Sequence, residues 1–345
     1  MDQKADVGER LRAFLSANTG GSDATIVGLS RIGVGRSRDN WVFDLVTHHD
    51  GAEHSEPLIL RSDPDGGLVE TDRGVEFAVL GALENSGLPT PVARWLDADG
   101  RWLAMPSLVM RRLPGDCDYR VLSGTDRSLE RRRALAERFC DLLVEVHRTD
   151  WRALGIAEIM PDPGEQAARA ELDRWEAILR RDQLEEFPEL ELAIVVLRET
   201  APVSEGTVLV HADYKPGNLL LQGDRVTALL DWELAHLGDP LEDLGWITQP
   251  LRAAEHTIAG TWEAEDIIAR YARTAEVDVD RRSLAWWVTF STFKTAVMQV
   301  SGLRSFLEGR SDEPYRPTRR VLSTLLESVA EDTVTQETLV REDGA

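Results

Sequence analysis

Apolar and polar positions change their rhythm several times along this chain, and each change predicts a different element. ATIVGLSRI and NWVFDLVTH are rich in β-branched and aromatic residues and are joined by GVGRSRD, which predicts a β-hairpin after a short first helix. A third strand follows at PLILRSD, residues 57–63. Over residues 71–84, Val75, Val79, Leu80 and Leu83 share one face of a helix. PTPVARWLDADGRW and PSLVMRRLPGD add two strand-like segments separated by a turn at Asp99 and Gly100. From Leu129 to Arg148 the period becomes helical, with Leu135, Phe139, Leu142, Leu143 and Val146 along one side. Further helices are predicted around EQAARAELDRWEAILRRD, LELAIVVLRET, EAEDIIARYARTA and SLAWWVTFSTFKTAVMQVSGLRSFLEG. The expectation is an α+β protein of two lobes: a small β-rich lobe over residues 1–111, a larger, mainly helical lobe over residues 112–330, and a flexible, acidic tail over residues 331–345.

Composition narrows what such a chain can do. Of its 345 residues 42% are hydrophobic and 29% charged, the balance of an ordinary globular protein with room for two cores. Acidic residues outnumber basic ones by 61 to 39, and a net charge of −22 repels nucleic acid and anionic lipid, so neither is expected as a partner. The two cysteines, Cys117 and Cys140, have no metal-binding spacing and read as free thiols of a reducing compartment. The amino-terminal stretch lacks the apolar core of a signal peptide, and no run reaches the ~18 apolar residues of a membrane span. A cytoplasmic chain is expected, with its oligomeric state unspecified.

One polar loop concentrates the chemistry. In VLVHADYKPGNLLL, residues 208–221, His211, Asp213, Lys215 and Asn218 follow directly on an apolar run, and a second run, VTALL, delivers Asp231. Phosphoryl transfer needs such a set: a carboxylate that orients and deprotonates the attacking hydroxyl, and oxygen ligands that hold Mg²⁺ against nucleotide phosphates. Asp213 suits the first role and Asn218 with Asp231 the second, while the Lys215 ammonium neutralises charge on the moving group. His211 suits a scaffold better than a base. Glu233 could reach the metal or its water, and Asp239 and Asp243 suit the fixing of loops. Taken alone, the loop could be a polar turn capped by Asp and Asn. Trp175, Trp246, Trp286, Trp287 and Phe290 lie at helical spacing, which suits a core more than the wall of an acceptor pocket.

The His, Asp and Asn of HADYKPGN stand at the spacing of the protein-kinase catalytic loop. VHADYKPGNLLL and LLDWELAHLGDPLEDLGW together resemble the aminoglycoside phosphotransferase and choline kinase family, of protein-kinase-like fold, and within it the branch associated with acyl-CoA dehydrogenases. The resemblance runs over residues 25–310. It implies ATP and Mg²⁺ as cofactors, Asp213 as catalytic base, Lys215 as a phosphate contact, and Asn218 and Asp231 as metal ligands. It also sets Gly33 and Gly35 in a hairpin over the nucleotide phosphates. Arg61 falls where protein kinases carry a lysine, Glu76 is its partner, and Met110 and Arg112 lie at the hinge that meets adenine. The implied activity is phosphoryl transfer to a hydroxyl of a small molecule, by the branch resemblance a hydroxyacyl group or its CoA thioester. An aminoglycoside or amino alcohol is the competing acceptor, and a nucleotide-binding pseudokinase is the competing reading that Arg61 raises. The sign of charge around the acceptor separates the two acceptor classes.

Overall fold

A computed structural model describes residues 3–19, 24–32, 39–49, 52–62, 72–311 and 314–343. Helix α1 (Gln3–Asn18) leads into strands β1 (Thr25–Ile32), β2 (Asp39–His49) and β3 (Ala52–Ser62), then helix α2 (Arg73–Leu83) and strands β4 (Ala93–Asp97) and β5 (Ser107–Arg111). The strands form one antiparallel sheet in the order β1-β2-β3-β5-β4. Alternation along the strands divides their side chains between two cores. Trp41, Phe43 and Leu45 of β2, Leu58 and Leu60 of β3 and Val109 of β5 meet Leu11, Phe14 and Leu15 of α1. Leu108 and Met110, on the other face of β5, share a core with Val79, Leu80 and Leu83 of α2. β3 begins earlier than PLILRSD suggests, because AEHSE pairs with the polar end of β2 at the sheet margin, where a strand need not be apolar. Helix α2 starts at Arg73 because the Asp72 carboxylate caps it, accepting from the Gly74 N–H at 2.7 Å.

The remainder is largely helical. Strand β6 (Asp116–Cys117) precedes helices α3 (Leu129–His147), α4 (Ala167–Asp182) and α5 (Pro188–Thr200). Four short strands follow, β7 (Val208–Val210), β8 (Leu219–Gln222), β9 (Arg225–Leu229) and β10 (His236–Gly238). Helices α6 (Pro240–Thr248), α7 (Ala253–His256), α8 (Ala264–Ala275), α9 (Arg281–Leu307) and α10 (Arg319–Asp343) complete the chain. β6, β8 and β9 form one small antiparallel sheet, and β7 pairs with β10. Helix α9 is the axis of this part: Trp286, Trp287, Phe290, Phe293, Val297 and Val300 lie in a core shared with α4, α5 and α10. A helix apolar on every side is one that is packed on every side. Helix α6 crosses α9 at Gly245, where an added Cβ would lie 2.7 Å from the Trp287 carbonyl carbon. Helix α10 runs on over residues 331–343, whose Glu, Gln, Leu and Arg are good helix formers. No helix among the described residues is long and apolar enough to cross a membrane.

Candidate active site

The loop HADYKPGN spans β7 to β8, and its backbone is set by groups outside it. The Asp243 carboxylate, in α6, accepts from the N–H groups of His211 and Ala212, both at 2.8 Å, and lies 3.1 Å from His147 Nε2. Burial would raise the Asp243 pKa, but His147 and these bonds hold it below the usual carboxylate range. Ala212 has a left-handed backbone, φ 65°, which costs a residue with a Cβ roughly 1–2 kcal/mol. Its conformation is held from both ends, since its carbonyl accepts from Lys294 Nζ at 2.9 Å. Lys294, on α9, is 1% exposed and lies between the rings of Trp175 and Trp246, 5.2 and 5.1 Å from their centroids. Glu242 Oε1 is 3.2 Å from the same ammonium. Two buried charges thus fix the peptide that precedes Asp213.

Asp213 is held through one of its two oxygens. Lys215 Nζ donates to Oδ2 at 2.5 Å and Asn218 Nδ2 donates to the same atom at 3.1 Å, and also to the Asp213 carbonyl at 3.0 Å. Oδ1 has no partner among the described residues. Because Asn218 gives its amide nitrogen to Asp213, its amide oxygen is the half left for another ligand. His211, fully buried, joins this loop to the next: Nε2–H donates to the Leu230 carbonyl at 2.9 Å and Nδ1 accepts from the Asp213 N–H at 3.3 Å. Burial lowers its pKa, and the neutral ring is the form this pattern requires. The Leu230 N–H returns to the Asn218 carbonyl at 2.8 Å. His211 is therefore a tie between the Asp213 and Asp231 segments, which the sequence reading gave it as a scaffold.

Asp231 also has a left-handed backbone, φ 71°. Arg61, at the end of β3, reaches it with Nη2 2.5 Å from Oδ1, while Nη1 donates to Glu76 Oε1 at 3.0 Å. Arg73 pairs with Glu76 in turn and lies 3.5 Å from Glu233 Oε2. Burial would raise the Asp231 pKa, but Arg61, Lys215 and His211 hold it low. The Arg61 and Glu76 pair expected from the sequence is present and buried; Arg73 was not anticipated. Its signal is a cation on the first residue of α2, where the helix dipole disfavours positive charge and a fully buried guanidinium demands carboxylates. An amide oxygen and a carboxylate suit a hard cation such as Mg²⁺, and the Arg61 guanidinium already marks the Asp231 position as one that draws positive charge.

The other predicted residues are placed less directly. Met110 is buried within β5, paired with Ile59 on one side and Ala93 on the other. The Arg112 N–H goes to the Pro57 carbonyl at 2.9 Å and its side chain to Asp44 at 2.9 Å, so that donor is occupied by the sheet. Gly33 and Gly35 lie outside the described residues. Trp175, Trp246, Trp286, Trp287 and Phe290 are all buried core residues. Glu171, His236 and Glu242 bring three potential metal-ligand atoms within 4.8 Å of one another. Their positive charge is already supplied: Lys294 pairs with Glu242, and burial, which would lower the His236 pKa, is outweighed by Glu171 and Glu242, raising it to about 9.

Comparison with known proteins places this geometry. The family model described as phosphotransferase enzyme family (APH) matches residues 28–287. Acyl-CoA dehydrogenase family member 10 of Mus musculus is 26% identical over 291 residues, which cover 79% of this chain and 26% of that protein. The chain thus spans about a quarter of that relative's length. A crystal structure from Ralstonia eutropha JMP134, assigned to the aminoglycoside phosphotransferases, superposes with a TM-score of 0.68 at 21% identity, covering 94% of this chain and 98% of its own. The streptomycin–ATP complex of APH(2")-IIa superposes with a TM-score of 0.55 at 15% identity, covering 86% and 95%. These likenesses give the fold as two-lobed and kinase-like, a β-rich lobe followed by a helical one. With three quarters of its length inside the family model and its polar loop in the family's order, the chain belongs to the phosphotransferase enzyme family.

Proposed function

We propose that the chain is a small-molecule kinase that moves the γ-phosphoryl group of ATP to a hydroxyl, with Asp213 as the base. The observation that carries this reading is the division of the Asp213 carboxylate: Oδ2 is held by Lys215 and Asn218, and Oδ1 has no partner among the described residues, which suits the atom that would take a hydroxyl proton. A proton taken at Oδ1 leaves the acid tethered through Oδ2, so its geometry survives the transfer. In a loose transition state that proton moves late, and positioning matters more than base strength. Lys215 balances charge on the group in transit. Asn218 and Asp231 would hold Mg²⁺, which when bound neutralises and aligns the phosphates. Arg61 would grip a phosphate oxygen with the fork that now meets Asp231.

On this reading nucleotide lies between residues 1–111 and 112–330, with its adenine at the hinge near Met110 and Arg112. A structural neighbour solved with streptomycin and ATP supports the cofactor and a small-molecule acceptor. A hydroxyacyl compound as that acceptor follows from the branch resemblance alone, and the mouse relative's acyl-CoA dehydrogenase name belongs to a protein of which the chain spans about a quarter. A nucleotide-binding pseudokinase is the second reading, favoured by the short Arg61–Asp231 pair that occupies a proposed metal ligand. Label transfer from γ-labelled ATP with Mg²⁺ into a metabolite mixture, compared between wild type and Asp213→Asn, tests the assignment. A discrete product with wild type alone supports the kinase; nucleotide binding with no transfer into any mixture supports the pseudokinase.

A further inference from the structure

The protein carries a net charge of −22, yet cationic and donor groups gather on the helical side of the Asp213 loop, and phosphoryl transfer as described leaves two of them unused. The turn that follows α6 ends in Arg252, whose guanidinium stacks on the Trp246 ring at 4.0 Å from its centroid. The same ring faces Lys294, which holds the Ala212 carbonyl, so Arg252 stands one aromatic ring away from the loop's anchoring cation. On α7, His256 is 6% exposed. His256 Nε2 and Arg252 Nε are both buried without a hydrogen-bond partner among the described residues. Arg252 meets Glu255 only through Nη1, at 3.3 Å from each carboxylate oxygen, long for a charged pair. Burial first, then the charges of Arg252 and Lys215, depress the His256 pKa to about 3, so the ring is neutral.

Unpartnered buried polar atoms are rare in folded proteins and cost about 1–3 kcal/mol each, so a guanidinium Nε and a ring nitrogen left unpartnered together suit something that arrives. Their chemistry selects an oxyanion: a planar guanidinium fork, a ring nitrogen and an ammonium all favour a carboxylate or phosphate. The opposite acceptor, an amine, would need carboxylates, and those nearby are engaged. Glu242 is taken by His236 and Lys294, Asp243 by the N–H groups of the loop, and Glu255 by Arg252.

We propose that Arg252 and His256, with Lys215 at its catalytic edge, form an oxyanion subsite for the acceptor, whose hydroxyl then faces Asp213 Oδ1. The acceptor is accordingly an anionic hydroxyl compound, bearing a carboxylate or a phosphate, and not an amino alcohol or aminoglycoside. This rests on the phosphotransferase reading with Asp213 as base, and two measurements keep the two claims apart. In the first, the His256 ring signals, assigned with His256→Asn, are followed by proton–nitrogen NMR as inorganic phosphate is added to the full chain. A non-hydrolysable ATP analogue and Mg²⁺ fill the nucleotide cleft. The expected result is a saturable shift with a Kd of about 1–10 mM, weakened about tenfold or more in Arg252→Gln and less in Arg252→Lys, which keeps the charge if the glutamine variant melts early. No shift, or an equal shift in both variants, overturns the subsite, the latter meaning an adventitious ion only. In the second, a metabolite extract is separated by ion exchange into anionic, neutral and cationic fractions, and each is offered with γ-labelled ATP. Label entering the anionic fraction, and less of it with Arg252→Gln, is expected; label in the neutral or cationic fraction overturns the proposal. Label in none of them counts against the kinase reading, and the phosphate titration still decides the subsite.

Discussion

Replacing Lys294 by Met would remove the one ammonium that holds the Ala212 carbonyl and would change the buried volume little. Breaking a buried charge pair by removing one partner costs about 3–5 kcal/mol, and an orphaned carbonyl alone costs about 1–3 kcal/mol; the two overlap and do not add. Glu242 keeps His236 at 3.0 Å from Oε2, so its carboxylate is not stranded, and the lower end of the range applies. The expected loss is about 3 kcal/mol, measured by urea unfolding, against the roughly 5–15 kcal/mol that holds a domain together. The variant should therefore remain folded, which makes its turnover informative. Ala212 is left with a single restraint, from Asp243, on a backbone that is unfavourable without help. Misplacing a catalytic group by about 1 Å costs on the order of 10²-fold, so label transfer should slow about 10–100-fold while nucleotide affinity stays unchanged. A loss of stability below about 1 kcal/mol together with unchanged turnover would refute the reasoning, because it would mean that Asp243 alone holds the loop.

Asp213→Asn should retain nucleotide binding and lose about 10²–10⁴-fold in label transfer; a variant as active as wild type removes Asp213 as the base. Gly245→Ala forces a Cβ against the Trp287 backbone at 2.7 Å and should cost about 1–3 kcal/mol in urea unfolding, or more if α6 cannot shift; a neutral result would show that α6 and α9 move apart freely. His236 has a folded-state pKa of about 9 against an ordinary 6.5, so its contribution is full below pH 6.5 and lost as pH rises through 9. Its partner Glu171, where burial is outweighed by His236, Arg174 and Lys294, is lowered to about 2, so its contribution is full above pH 4.5 and lost as pH falls toward 2. Unfolding free energy should therefore fall between pH 6.5 and 9, and His236→Gln should flatten that slope; an unchanged slope in the variant would assign it to other groups.

What could be read in the sequence was what the chain keeps close together. HADYKPGN sets its carboxylate, ammonium and amide within one turn, so their meeting follows from chain geometry, and Asp231 arrives just after the strand that pairs with the loop's own exit strand. The helical period of α3 likewise identified its buried face. Contacts made across long stretches of chain could not be read in the same way. Lys294 looked like one more residue of an apolar helix, although a lone lysine in SLAWWVTFSTFKTAVMQV must be paired when that helix is buried on all sides. Arg252 and His256 carry no local pattern at all, and their significance comes from which polar atoms the fold leaves beside them. The sheet takes up the Arg112 N–H for the same reason: strand pairing is decided by a partner more than fifty residues earlier, Pro57.

Arg61 was the residue that most favoured a protein without turnover, and its surroundings weaken that case. A lysine ammonium would be a single point of charge between Glu76 and Asp231, whereas the planar guanidinium places one nitrogen on each carboxylate. Arg73 extends the chain of charge from Glu76 to Glu233. Within this group three carboxylates, Glu76, Asp231 and Glu233, face two guanidinium groups. Burial would raise the Asp231 pKa, yet Arg61, joined by Lys215 and His211, holds its carboxylate below the usual range. On the proposed kinase reading, an Asp231 carboxylate held ionised on a left-handed backbone suits a metal ligand.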